Sequence, residues 1–124
     1  MNMDTTFNTP ELETEISHKY RSGSRICTKV AGVTFDGRQA VVARLCVGEE
    51  IQLRREPANP FDPNAIRVER LDGHQIGFLN RHLAAQLAPF FDARNRLVIA
   101  WVHCLTGNPR SGYALGVVIT FNVP

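Results

Sequence analysis

Between positions 56 and 65 the chain reads Glu-Pro-Ala-Asn-Pro-Phe-Asp-Pro-Asn-Ala, the stretch richest in residues that could do chemistry. Three prolines in seven residues fix φ and stiffen it. Asn59 and Asp62 each precede a proline and can hydrogen-bond the local backbone, and Asn64 adds a second amide. Phe61 is held between rigid neighbours. A stiff loop that presents a ring, a carboxylate and two amides loses little entropy when it clamps a ligand. The ring offers a stacking face, and an ionised Asp62 only accepts, so it suits a hydroxyl donor and repels phosphate. The same residues also serve a plain strand connection in which Asn59, Asp62 and Asn64 cap turns and Phe61 plugs a barrel end.

Beyond the loop, Phe35 and Tyr113 are candidate stacking platforms. Twelve of the fourteen basic residues are Arg, whose planar fork suits phosphate. Arg38, Arg54, Arg55, Arg67, Arg81 and Arg110 are candidates for a phosphate track, although Arg54 and Arg55 face opposite ways on an alternating strand. A preference for Arg on a solvated surface explains the same count. Catalysis finds no support: no HExxH, GxSxG, P-loop or paired-carboxylate motif occurs, and His74, His82 and His103 have no partnered nucleophile. The expectation is a non-enzyme with no catalytic residue, no metal ligand and no cofactor. Cys27, Cys46 and Cys104 form no CxxC pair and sit among apolar neighbours, so they read as buried, reduced thiols.

Short strands must position these groups. Arg25–Thr34 is β-branched, Glu50–Arg55 and Ala65–Leu71 alternate apolar with polar, and Asp72-Gly73 turns the chain into Gln75–Leu79. Leu97–Leu105 and Tyr113–Val123 are apolar strands flanking a GNPRSG turn. Two helices are expected: Gln39–Val47, stopped by Gly48, and Arg81–Phe91, capped by Asn80 with Pro89 in its last turn. Such strands suggest a mainly β, closed or nearly closed small barrel.

A chain of 124 residues and 13.9 kDa is one domain in size. Residues 1–22 carry four acids and two bases, and the remainder is net +4. The expected division is a flexible acidic tail over 1–22, with a short helix over Glu11–Lys19 capped by Thr9, and a folded domain over 23–124. The polar N-terminus does not read as a signal peptide, and no stretch reaches the ~20 apolar residues of a membrane span. A cytoplasmic setting is expected.

The segment LRREPANPFDPNAIRVERLDGHQIGFLNR resembles the signature of the HIRAN domain: a D/E-P-x-N-P-[FY]-D-x-N-A-I loop, a strand, then G-x-x-[IV]-G-[HYF]-L leading into a helix. KVAGVTFDG is similar to that family's opening strand, so the likeness spans about residues 26–122. It implies an OB-like β-barrel with helices and a non-catalytic module that grips the 3′ end of single-stranded DNA. Members occur in Swi/Snf-type fork-remodelling translocases and as stand-alone bacterial proteins, which this chain resembles. By the resemblance, Phe61 stacks on a terminal base, Asp62 meets the 3′-hydroxyl, and Asn59 lines the pocket. Phe35 sandwiches a base, Arg81 contacts phosphate, and Tyr113 adds an aromatic. Asn64 and Phe78 complete the DNA-binding set. Thr34 and Phe78 stand where eukaryotic members have Arg and His, which implies differently tuned binding. The implied partners are single-stranded DNA or DNA ends and a separately encoded helicase or nuclease, in DNA repair or fork processing. A protein-interaction module docking a translocase, nuclease or phage factor is the alternative.

Overall fold

The computed structural model describes residues 19–94 and 96–124. Elements in chain order are β1 (Arg25–Lys29), α1 (Arg38–Val42), β2 (Glu50–Arg55), β3 (Ile66–Arg70), β4 (Gln75–Phe78), α2 (Arg81–Ala93), β5 (Leu97–Asn108) and β6 (Tyr113–Asn122). A single 3-10 turn, Pro109–Ser111, joins the last two strands. The strands form one antiparallel sheet in the order β1-β6-β5-β2-β3-β4. The fold is therefore mainly β with two helices, as expected. No described helix is long and apolar enough to cross a membrane.

Alternation builds the core. On β2, Ile51, Leu53 and Arg55 turn inward while Glu50 and Arg54 face water. The sheet twists and curls around those inward side chains until its two edges meet. One bridge stitches them: Ala31 N donates to Phe78 O at 2.8 Å, and Phe78 N donates to Ala31 O at 2.9 Å. Gly77 makes this seam possible, since a Cβ there would collide with the Ala31 carbonyl and the Val30 side chain. The result is a curled half-barrel pinned at one seam.

Helix α2 packs onto the curled sheet through Leu83, Ala84, Leu87, Ala88 and Phe91. Burying a Leu or Phe side chain contributes about 1.5–3 kcal/mol, which holds the helix in place. The Asn80 side chain accepts from Leu83 N at 2.9 Å and caps it, as its position predicts. The helix runs two residues past Phe91, straight through Pro89. Pro89 deprives Ala85 of its i+4 donor, but Ala85 is exposed and water can serve its carbonyl.

Several boundaries differ from expectation. β1 stops at Lys29 because Gly32 and Asp36 both adopt positive φ, so 31–37 is a turn and not strand. α1 ends at Val42, five residues early, and relaxes through turns from Ala43 to Leu45. β5 extends to Asn108 because register shifts after Val102 and Thr106 let pairing with β6 continue. The cysteines are not buried: Cys27 and Cys46 are exposed, Cys104 is half-buried, and all three are free. Cys27 shares the outer face of β1 with Arg25 and Lys29, so strand parity overrides its apolar neighbours. The helix expected over Glu11–Lys19 and its Thr9 cap lie outside the described residues, save Lys19.

Candidate functional site

The loop between β2 and β3 is braced from within. Asn59 Oδ1 accepts from Phe61 N at 2.9 Å and from Asp62 N at 3.0 Å, while its Nδ2 donates to Glu56 Oε1 at 3.1 Å. Asp62 Oδ1 accepts from Asn64 N at 2.9 Å. Glu56 N to Ala65 O, at 2.9 Å, closes the base. With both polar atoms of the Asn59 side chain and one oxygen of Asp62 spent on the loop's own groups, and prolines between them, the loop holds its ring outward. Phe61 is 85% exposed, so it does not plug a barrel end.

Arg81, on the first turn of α2, ties the loop down. Its Nη2 donates to Phe61 O at 3.1 Å, and its Nε stands 3.8 Å from Asp62 Oδ2. Asp62 thus has one oxygen held by a turn amide and the other turned toward a guanidinium. Arg55 supports the loop from below. Its buried head pairs with Asp92 of α2 at 3.0 Å and donates to Ala65 O at 3.3 Å.

The facing wall is the 31–37 turn. Arg38 holds it: Nη1 donates to Gly32 O at 2.8 Å, and Nη2 donates to Asp36 Oδ2 and Gln75 Oε1, each at 3.3 Å. The guanidinium lies 5.3 Å from the centre of the Phe78 ring, a cation–π contact. Phe35, at the turn's crest, is 64% exposed. The seam between Ala31 and Phe78 joins this wall to β4, so both walls and the floor are one connected body.

Between the walls lies a cleft of about 480 Å³, lined among others by Phe35, Arg38, Phe61, Asp62, Phe78 and Arg81. That volume is in the range of small-ligand sites. Two exposed rings stand over a mostly apolar floor, with the carboxylates of Asp36 and Asp62 and the guanidiniums of Arg38 and Arg81 around them. Such a site can stack a planar group, accept from a hydroxyl and meet an anion at one edge.

Of the eight residues singled out from sequence, Phe35, Asn59, Phe61, Asp62, Phe78 and Arg81 line this cleft. Asn64 and Tyr113 do not. The backbone of Asn64 completes the Asp62 turn on the loop's return side. Tyr113 stands opposite Asn108 at the far end of a β5–β6 hairpin longer than expected, and is 69% exposed there. Of the candidate phosphate track, only Arg38 and Arg81 reach the cleft. Arg54 and Arg67 converge instead on Glu69, which is 2% exposed. Burial by itself pushes the Glu69 carboxyl up. Hydrogen bonds from Arg54, Gln52 and Arg67, with the Arg54 charge, outweigh this and hold it below the ordinary carboxylate range. Arg110 sits in the 3-10 turn.

Sequence reasoning missed the bracket role of Arg38. The signal was there: Gly32 and Asp36-Gly37 are two turn formers close together, and a tight turn needs something to satisfy its carbonyls. It also missed Leu97, Ile99, Trp101 and Leu105, four large apolar side chains exposed along the outside of β5.

Comparison with known proteins supplies the lineage. The family model described as HIRAN domain matches residues 24–123. A helicase-like transcription factor of Oryctolagus cuniculus is 50% identical over 44 residues, which is 36% of this chain and 4% of that protein. A SWI/SNF-related matrix-associated actin-dependent regulator of chromatin subfamily A member 3-like protein of Arabidopsis thaliana is 37% identical over 83 residues, covering 67% of this chain and 9% of that one. The chain thus spans only a small part of these relatives' length. Among solved structures, the crystal structure of the HIRAN domain of human HLTF aligns with TM-score 0.57 at 26% identity, over 79% of this chain and 74% of that one. The crystal structure of a protein from Lactobacillus plantarum aligns with TM-score 0.59 at 23% identity, over 80% of this chain and 97% of that one.

Proposed function

The chain belongs to the HIRAN domain family, and on that premise we propose that it is a non-catalytic module that grips single-stranded DNA at a free 3′-hydroxyl end. The observation that carries this reading is the pairing of an outward ring with a rim carboxylate on one rigid loop. Phe61 and Phe35 stack on the last bases, a contact that tolerates any sequence. Asp62 Oδ2 accepts from the terminal hydroxyl. A further phosphodiester in its place would set negative charge against the carboxylate, so an internal position is disfavoured. Arg81 meets the last phosphate, Phe78 forms the floor, and Asn59 keeps the loop in shape. Asn64 contributes by fixing the Asp62 rotamer through its backbone. Tyr113, at the hairpin tip, meets only a strand that runs on beyond the cleft. The cellular setting that fits such a grip is repair or fork processing in the cytoplasm, alongside a separately encoded helicase or nuclease.

Fluorescence anisotropy with two otherwise identical oligonucleotides, one ending in 3′-hydroxyl and one in 3′-phosphate, tests the proposal. Tighter binding of the hydroxyl form is expected. Equal affinity removes the end-reading role of Asp62, and no binding of either removes the DNA reading.

One observation favours a second reading. The exposed side chains Leu97, Ile99, Trp101 and Leu105 form an apolar stripe along β5, suited to docking a partner protein. Salt separates the two: DNA binding weakens steeply as salt rises, and an apolar interface does not.

A further inference from the structure

A second concavity, of about 340 Å³, lies beside the first turn of α2. Lys19, Arg25 and Thr28 line it from one side, and Asn80, His82 and Gln86 from the other. Its charged lining is wholly basic, with no carboxylate among the described residues. The cleft differs, since Asp36 and Asp62 there offset Arg38 and Arg81. Arg25 gives its Nε to Asn122 Oδ1 at 2.8 Å, and among the described residues its two Nη groups have no protein partner. Lys19 Nζ lies 5.3 Å over the Tyr20 ring, not on an acid. Two cations near one another without a neutralising carboxylate form an electrostatic surface that favours an anion.

The position of this groove matters as much as its charge. Arg81 lines the cleft, while its chain neighbours Asn80 and His82 line the groove. The two concavities therefore share a single turn of helix. A helix is about 10–12 Å across with its side chains, so only a short length of extended strand separates them.

We infer that the groove of Lys19, Arg25 and His82 takes the phosphates of the same single strand after it leaves the cleft over the first turn of α2. This rests on the proposed DNA-end reading of the cleft and adds a path for the strand behind its terminal nucleotide. The cleft reads the end, and the groove adds affinity that depends on length but not on sequence. The groove offers cations and polar side chains, and of its two rings Tyr20 lies under Lys19 while His82 is the smaller, so it suits backbone more than bases.

The test is a length series of 3′-hydroxyl oligonucleotides, of about three and about ten nucleotides, titrated against the whole chain and its Lys19→Ala/Arg25→Ala variant. Both substituted residues are exposed, and a thermal melt of the variant checks that it folds. The longer strand is expected to bind the wild type about tenfold more tightly at ~50 mM salt. That gain is expected to shrink by about sevenfold at ~200 mM, the change for two further phosphates neutralised on a single strand. In the variant the gain is lost, and binding of the short strand is unchanged because neither residue lines the cleft. Equal binding of both lengths overturns the inference and leaves the cleft reading standing. A length gain that survives in the variant also overturns it, since the strand then runs elsewhere. Failure of both lengths to bind overturns the two together. Should an acidic peptide bind the wild type and not the variant, with no length gain for DNA, the groove belongs to a protein and the inference is wrong.

Discussion

Replacing Phe61 by Ala separates a ligand-binding ring from a structural one. In the free protein the ring is 85% exposed, and its backbone is held by Asn59 and Arg81 through groups that the substitution does not touch. Little apolar area is lost from the core, so stability should stay within about 0.5 kcal/mol, as for ordinary surface changes. For a domain of this size that is a melting shift of no more than about 4 °C. Binding is another matter. A base stacked on an aromatic face is worth about 1–3 kcal/mol, so the dissociation constant should rise about 5- to 150-fold. The slope of affinity against salt should not move, because no charge is removed. Phe61→Tyr keeps the face and should bind nearly as wild type. Anisotropy titration at two salt concentrations, with a parallel thermal melt, reads all of these quantities. An Ala variant within twofold of wild type would falsify the stacking role. A variant that melts ~10 °C lower would show that the ring holds the loop and not a base.

The other expectations follow from separate parts of the molecule. Asp62→Asn keeps an oxygen for the Asn64 amide but removes the charge, so preference for 3′-hydroxyl over 3′-phosphate should fall toward parity while the fold is unchanged; a preserved preference in paired titrations refutes the role. Gly77→Ala drives a methyl into the Ala31 carbonyl and should cost about 1–3 kcal/mol, seen as a lower urea midpoint, whereas an unaltered midpoint means the seam has room. Glu69 is held below its unfolded value, so its stabilisation is complete above the unfolded carboxylate range near pH ~4.3 and is lost as pH falls through the lower folded value. Glu69→Gln should therefore flatten the acid limb of a stability–pH curve and cost about 1–3 kcal/mol at pH ~7; an unchanged acid limb contradicts the assignment.

Much of the sheet was legible because alternation along EIQLRR and AIRVERL marks an inward face, and Asp72-Gly73 encodes a hairpin that returns the chain as QIGFL. The Asn80 cap was legible too, since its hydrogen bond is local. Strand ends were not. Whether β1 continues past Lys29 depends on Gly32 and Asp36 adopting positive φ, and β-branched Val33 and Thr34 argued the other way. The length of β5 rests on register shifts against β6, a pairing that no window of one strand contains. Residues of the cleft that are adjacent in sequence, Asn59 to Asp62, could be read as one unit. Phe35 and Phe78 meet there only because the sheet closes on itself. Tyr113 stands away from the cleft for the converse reason: an aromatic at a strand start says nothing about how far its hairpin reaches. Cys27 is a case where the needed rule was at hand, since strand parity was readable and neighbour hydropathy was followed instead.

The bridge between Ala31 and Phe78 has a consequence for how the molecule breathes. Two reciprocal amide bonds, with Arg38 reaching Gln75 and the Phe78 ring beside them, latch the sheet's first and last strands, and the same latch joins the Phe35 wall to β4. Each such bond contributes only about 0.5–1.5 kcal/mol net, far less than global unfolding requires. The latch is therefore a place where the cleft can open locally while the rest of the sheet stays protected from solvent exchange. A bound ligand that touches both walls would close it again, and the amide protons of Ala31 and Phe78 would be the first to slow.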